Sequence, residues 1–171
     1  IHADGSGQPQ KLTTVSAYWE HPKFSPNASR IVAVRGPARA FNLALAQGTP
    51  GGAEDVVWFP SNGGDAVFIA PAAGMTNPQF TSDTTRVFGF SAQRGLFSMR
   101  WDGTDVRALL RVGVGSGRGG EGGGGGAISD IQVSPDGSQA LVATTAADVY
   151  MMSIPWLGGT PPTINVGDNS T

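Results

Sequence analysis

Three stretches of this chain share one internal pattern, and that repetition limits the possible folds more tightly than any other feature. With Asp83 as the reference, Asn27 lies 56 residues before it and Asp136 lies 53 residues after it. Three residues past each marker stand Arg30, Arg86 and Gln139. An apolar run follows each: Ile31-Val32-Ala33-Val34, Val87-Phe88-Gly89-Phe90 and Ala140-Leu141-Val142-Ala143. The second column of these runs is always bulky, and the third is small in two of the three. Phe24, Phe80 and Val133 precede the markers, each followed by a short Ser/Thr/Pro turn.

The middle repeat, 77–112, shows what one unit contains. Phe80 sits before a Thr81-Ser82-Asp83-Thr84 turn, and Arg86-Val87-Phe88-Gly89-Phe90 is aromatic and β-branched, as a half-buried strand should be. Gly95 then opens Leu96-Phe97-Ser98-Met99-Arg100-Trp101, which runs into Asp102-Gly103, a strong hairpin-turn pair. Four short strands recurring at about 40–55 residues mark a propeller blade. The spacing therefore predicts an all-β chain: a β-propeller segment of about three four-stranded antiparallel blades, plus the end of a preceding blade. The boundaries read as 1–20 for that end, 21–76 for a blade with an insertion at 36–52, and 77–112 for a second blade. A glycine-rich inter-blade loop follows at 113–130, then a third blade at 131–171. Within the insertion, Arg39-Ala40-Phe41-Asn42-Leu43-Ala44-Leu45-Ala46 is compatible with a helical turn or an extended strand.

The turns are explained by local chemistry. In Ser134-Pro135-Asp136-Gly137, proline presets its backbone angle, Asp136 can accept from a downstream amide, and Gly137 takes a positive φ. Asn27, Asp83, Asp102 and Gly103 read as the corresponding structural turn residues. In the loop, Gly115-x-Gly117-x-x-Gly120 matches the dinucleotide fingerprint in letters only. A strand follows instead of a helix, and no βαβ unit surrounds it. With ten glycines in 113–126, a flexible connector is the expectation.

Composition excludes several functions. A net charge of −2 offers no concentrated basic face for nucleic acid. The absence of cysteine removes disulfides, thiolate catalysis and thiolate metal sites together. No apolar run approaches the roughly 18 residues of a membrane span, and no signal peptide is evident. Ile1 in place of Met points to a processed or excised piece.

Phe24-Ser25-Pro26-Asn27 and Val133-Ser134-Pro135-Asp136-Gly137, each leading into an apolar strand, resemble the TolB-like propeller repeat. That repeat occurs in the TolB translocation protein, in tricorn-type proteases and in the propellers of prolyl-oligopeptidase-type enzymes. Three segments carry a closer resemblance to the N-terminal propeller of bacterial metal-dependent amidohydrolases. They are Val57-Trp58-Phe59-Pro60 with Gly63-Gly64, then Gly95-Leu96-Phe97-Ser98-Met99-Arg100-Trp101-Asp102-Gly103-Thr104, and Ile154-Pro155-Trp156-Leu157-Gly158-Gly159. The resemblance implies a non-catalytic scaffold that shapes substrate access, and a periplasmic or extracellular setting. It places any divalent metal, such as zinc, in a separate barrel domain, so this chain is expected to hold no cofactor. The family's His-x-His motif is missing, since His2 and His21 are the only histidines.

No catalytic or metal constellation emerges from the residues themselves. His21 lacks convergent partners for zinc. Asp83 and Asp136 occupy equivalent turn positions, and Ser134 has neither a Gly-x-Ser-x-Gly setting nor a nearby histidine. Trp58, Trp101 and Trp156 fall near blade edges, where they could stack on a sugar or peptide or fill the seams between blades. Together with Arg94 they form the candidate binding surface. Arg86, Arg94, Arg100, Arg107 and Arg111 should scatter over both faces by strand alternation.

Three blades and a fragment would leave open faces, so the expected partners are the remaining blades or a catalytic domain, as another chain or as copies of this one. A TolB-like protein-binding module and the gating propeller of a serine peptidase are the alternative functions.

Overall fold

The computed structural model describes residues 6–39, 54–92, 94–113, 128–145, 149–154 and 163–165. The expected helical turn or strand from 40 onward, and the glycine loop from 114 to 127, lie outside the described residues. Among the described residues, twelve strands form three sheets. The first sheet runs in the order β1 (Ala17–Phe24), β2 (Arg30–Pro37), β3 (Asp55–Pro60) and β4 (Val67–Pro71). The second holds β5 (Thr76–Gln79), β6 (Arg86–Ser91), β7 (Gly95–Arg100) and β8 (Arg107–Gly113). The third holds β9 (Ile128–Val133), β10 (Gln139–Thr144) and β11 (Val149–Ser153). These are up-and-down antiparallel meanders, stacked in chain order as propeller blades. The repeat columns survive intact, because Arg30, Arg86 and Gln139 each open the second strand of a sheet.

Two departures from the sequence reading have physical causes. Ala17 to Glu20, assigned to a preceding blade, belong to β1 and pair with Pro37 to Val34. His21 takes a left-handed φ of 50° and bulges the strand between Glu20 and Lys23, which breaks the alternation. The second departure is the expected fourth strand of the third blade. β12 (Thr163–Asn165) instead pairs in parallel with Arg111 to Gly113 on β8, covering the outer edge of the second sheet.

The core consists of the seams. Between the first two sheets pack Val32, Val34, Val56, Ile69, Ala72, Met75, Val87, Phe97 and Met99. Phe88, Phe90, Leu96, Leu109, Leu110, Ile131, Ala140, Val142 and Ile154 fill the seam between the second and third. Alternation decides which seam each column enters. Val32 and Phe88, the bulky second column, point toward the following sheet and are fully buried. Leu141 in the same column of the third sheet meets no following sheet among the described residues and is 50 % exposed. Met151, its cross-strand neighbour, and Val149 are exposed beside it.

The innermost strands face one another but share no ladder, so side chains satisfy their backbones. Asn77 Nδ2 donates to the Ile131 carbonyl at 3.2 Å and to Asp130 Oδ1 at 2.9 Å. Gln79 donates to the same carbonyl at 3.1 Å and accepts from the Val133 amide at 2.9 Å. Both side chains are buried, and this pairing stitches β5 to β9 without an unsatisfied group.

Candidate functional site

The first seam brings together two of the tryptophans read as a binding surface. Trp58 lies on β3 opposite Val32, so it faces the second sheet. Trp101 follows β7, and the Asp102-Gly103 turn folds it back toward the first sheet. The rings meet edge to face, with centroids 5.7 Å apart and planes at 87°. Arg30, which the sequence reading did not single out, completes the cluster. Its guanidinium carbon stands 4.8 Å from the Trp58 ring centroid and 4.7 Å from that of Trp101. All three side chains are half-buried. The Trp58 indole nitrogen is buried and has no hydrogen-bond partner among the described residues. Arg30's column at the head of β2 was the available signal, because it sits one residue before a run that lines the seam.

Arg94 lies elsewhere on the second sheet, exposed in the turn before β7, with its guanidinium 5.8 Å from the Phe97 ring. Trp156 lies outside the described residues. Asn27, Asp83, Asp102 and Asp136 all accept hydrogen bonds from residues two positions on. Thr85 N donates to Asp83 at 2.9 Å, Thr104 N to Asp102 at 2.9 Å and Ser138 N to Asp136 at 3.0 Å. Gly103 and Gly137 take φ of 83° and 73°. Hydroxyl donation by Thr104 and by Ser134 holds the Asp102 and Asp136 carboxyls below the usual carboxylate range.

Three of the five arginines do not scatter as strand alternation alone suggested. Arg86, Arg100 and Arg107 converge on Asp105, at 2.7, 3.8 and 2.8 Å. Register explains the convergence: Arg86 stands directly opposite Arg100, and Arg107 opposite Ser98, the cross-strand neighbour of Phe88. A φ of 51° at Asp105 brings its carboxylate to them. Arg86 is nearly fully buried and also donates to Ser98 Oγ at 3.0 Å and to the Asp105 carbonyl at 2.6 Å.

The hydrogen bond from Arg107, then that from Arg86, lowers the Asp105 pKa from 3.8 to about 2. A carboxyl depressed on folding stabilises above its unfolded pKa, and that contribution disappears as pH falls through the folded value. Acid titration of the urea midpoint should therefore show a loss between 3.8 and about 2 that Asp105→Asn lacks. The curves of the two proteins should converge at the acid end. Parallel curves across that window would mean the Asp105 carboxylate is not the responsible group.

Among the described residues no three His, Cys, Asp or Glu side chains converge to hold a metal ion. No described helix is long and apolar enough to cross a membrane. A cleft of about 240 Å³, lined by Thr13, Trp19, Arg35 and Asp65 among others, opens on the far face of the first sheet. It adjoins Ile31, Ala33 and Phe59, against which Leu12 and Trp19 pack.

No protein-family model matches the chain, and no curated protein matches it either. Solved structures do. A protein assigned as TolB from Agrobacterium tumefaciens superposes with a TM-score of 0.51 at 14% identity, covering 81% of this chain and 46% of that one. An oligogalacturonate lyase in complex with manganese superposes with a TM-score of 0.52 at 15% identity, covering 90% of this chain and 40% of the lyase. The likeness is one of fold, and the chain spans less than half the length of either neighbour. Together with the three stacked meanders, it establishes a β-propeller architecture.

Proposed function

We propose that this chain is the non-catalytic propeller portion of a larger hydrolase, amidohydrolase-like, in which it scaffolds the catalytic domain and shapes substrate access. The observation that carries the incomplete-propeller part of this reading is the far face of the third sheet. Leu141, Val149 and Met151 form an apolar stripe there, 50, 66 and 68 % exposed, in the register that buries Val32 and Phe88 in the two formed seams. Such a stripe is the half-seam of another blade. Likeness of Val57-Trp58-Phe59-Pro60 with Gly63-Gly64, of Gly95 to Thr104 and of Ile154 to Gly159 to amidohydrolase propellers supports the hydrolase as parent.

The mass of the native particle, by light scattering with intact mass spectrometry of its chains, tests this. Further blades, as additional sequence, another chain or copies, should raise the mass well above 17.5 kDa, and a metal-binding barrel in the same particle is expected. A compact monomer of 17.5 kDa would overturn the incomplete-propeller reading. A larger particle with no hydrolase domain would favour a second reading, a TolB-like binding module. The Arg30–Trp58–Trp101 cluster favours that reading, since it places aromatic faces and a cation at the edge of a seam.

A further inference from the structure

The internal repeat permits a comparison between the two formed seams. Arg30 and Arg86 hold the same column, and Trp58 and Ser98 hold the same place opposite the bulky residue of the second strand. In the second sheet the arginine is fully answered: Ser98 Oγ accepts from Nε, and the Asp105 carboxylate and carbonyl accept from the two terminal nitrogens. In the first sheet the corresponding arginine has two indole faces and no acceptor among the described residues. Asp65, in the corresponding turn, instead accepts from the Thr14 hydroxyl at 2.6 Å. A guanidinium carries five donors that ring faces do not satisfy as an acceptor would. The buried Trp58 N–H is a further donor without a partner among the described residues. Val67, 42 % exposed and paired with Trp58 across the sheet, adds an apolar rim.

We propose that the Arg30–Trp58–Trp101 cluster is a carboxylate-binding site, and that its ligand carries the carboxylate on an apolar or aromatic group. The carboxylate takes, on Arg30, the place that Asp105 takes on Arg86, and the apolar group lies against Trp101 and Val67. Both the C-terminal carboxylate of a peptide and a small free acid present this chemistry. The inference deepens the binding-module reading, yet it rests only on the first seam, which lies wholly within this chain. Its failure is therefore separable from the particle-mass result.

The test is titration of the intact native protein, followed by indole fluorescence and by the indole N–H resonances. The probes are benzoate, its neutral counterpart benzyl alcohol, and a short peptide ending in Phe with either a free or an amidated C-terminus. The expected result is saturable binding of benzoate, or of the free-acid peptide, with little response to the neutral partner of each pair. Arg30→Gln should weaken it on the order of tenfold or more, the size of a lost charge-assisted hydrogen bond. Arg111→Gln, at an exposed arginine on β8, should leave it unchanged. Movement of the Trp58 N–H resonance, absent in Trp58→Phe, would place the ligand at this seam. Benzoate binding without the free-acid peptide identifies a small acid as the source, and the reverse identifies a chain terminus. Equal responses to charged and neutral probes, no saturable response at all, or binding indifferent to Arg30→Gln would each overturn the proposal. Should Arg30→Gln fail to fold, Arg30→Lys keeps the charge but loses the planar fork, and must still weaken binding.

Discussion

Gly103→Ala is expected to destabilise the protein by about 2–4 kcal/mol, the sum of a left-handed backbone cost and an overpacked seam. Gly103 takes a φ of 83° in the turn between β7 and β8, and its amide donates to the Arg100 carbonyl at 2.8 Å. A methyl added there would run into the carbonyl oxygen of Ile69, a buried residue of β4 in the neighbouring blade. Backbone on both sides leaves little room to relax. Gly74 separates the two contributions, because its φ is 76° but a methyl there meets nothing within 4 Å. Gly74→Ala should therefore show the backbone cost alone, about 1 kcal/mol. Urea denaturation of both variants decides the matter. Equal losses would mean that the turn of the second blade does not press on the first.

Gly89→Leu is the second large effect. Gly89 is the small third-column residue of the middle repeat, and in the fold it faces the side chain of Met75, the residue just before β5. A Cβ at this position would lie 2.5 Å from the Met75 sulfur and 2.8 Å from its Cγ. Met75 is itself buried in the first seam, so its side chain has nowhere free to swing. A leucine there should cost about 1–3 kcal/mol. The pair should also be strongly non-additive. Met75→Ala destabilises alone by opening a cavity, yet in combination it should recover much of the loss caused by Gly89→Leu. An unchanged denaturation midpoint for the single variant, or strict additivity in the pair, would show that the third column does not face this seam.

Much of the architecture was legible because blade formation is a local, repeated problem. Each unit had to carry short apolar runs between its turns, and each turn had to carry Asn, Asp or Gly where the backbone demanded it. Arg30, Arg86 and Gln139 marked the heads of the second strands without any tertiary information. The bulge at His21 was not legible, because a left-handed residue inside a strand breaks the period of two on which the reading depends. The pairing of β12 was not legible for a related reason: a three-residue strand carries no pattern that fixes its partner, and the free edge of β8 selects it.

The candidate site divides along the same line. Trp58 and Trp101 were visible as large aromatics near blade edges, but 43 residues separate them in the chain and only the stacking of sheets sets their rings edge to face. Arg30 joins them for the same reason. Asp105 had no sequence signature as the acceptor for three arginines, since that role depends on a positive φ and on the register of three strands. The amino-acid sequence alone determined the repeat, the strands within it and the chemistry of the turns, all of which arise from interactions within one blade. Which columns became seams, which arginine found a carboxylate and which did not, and which face was left uncovered were decided by how one blade lies on the next. Those outcomes depend on contacts between residues far apart in the chain, and no local pattern encodes them.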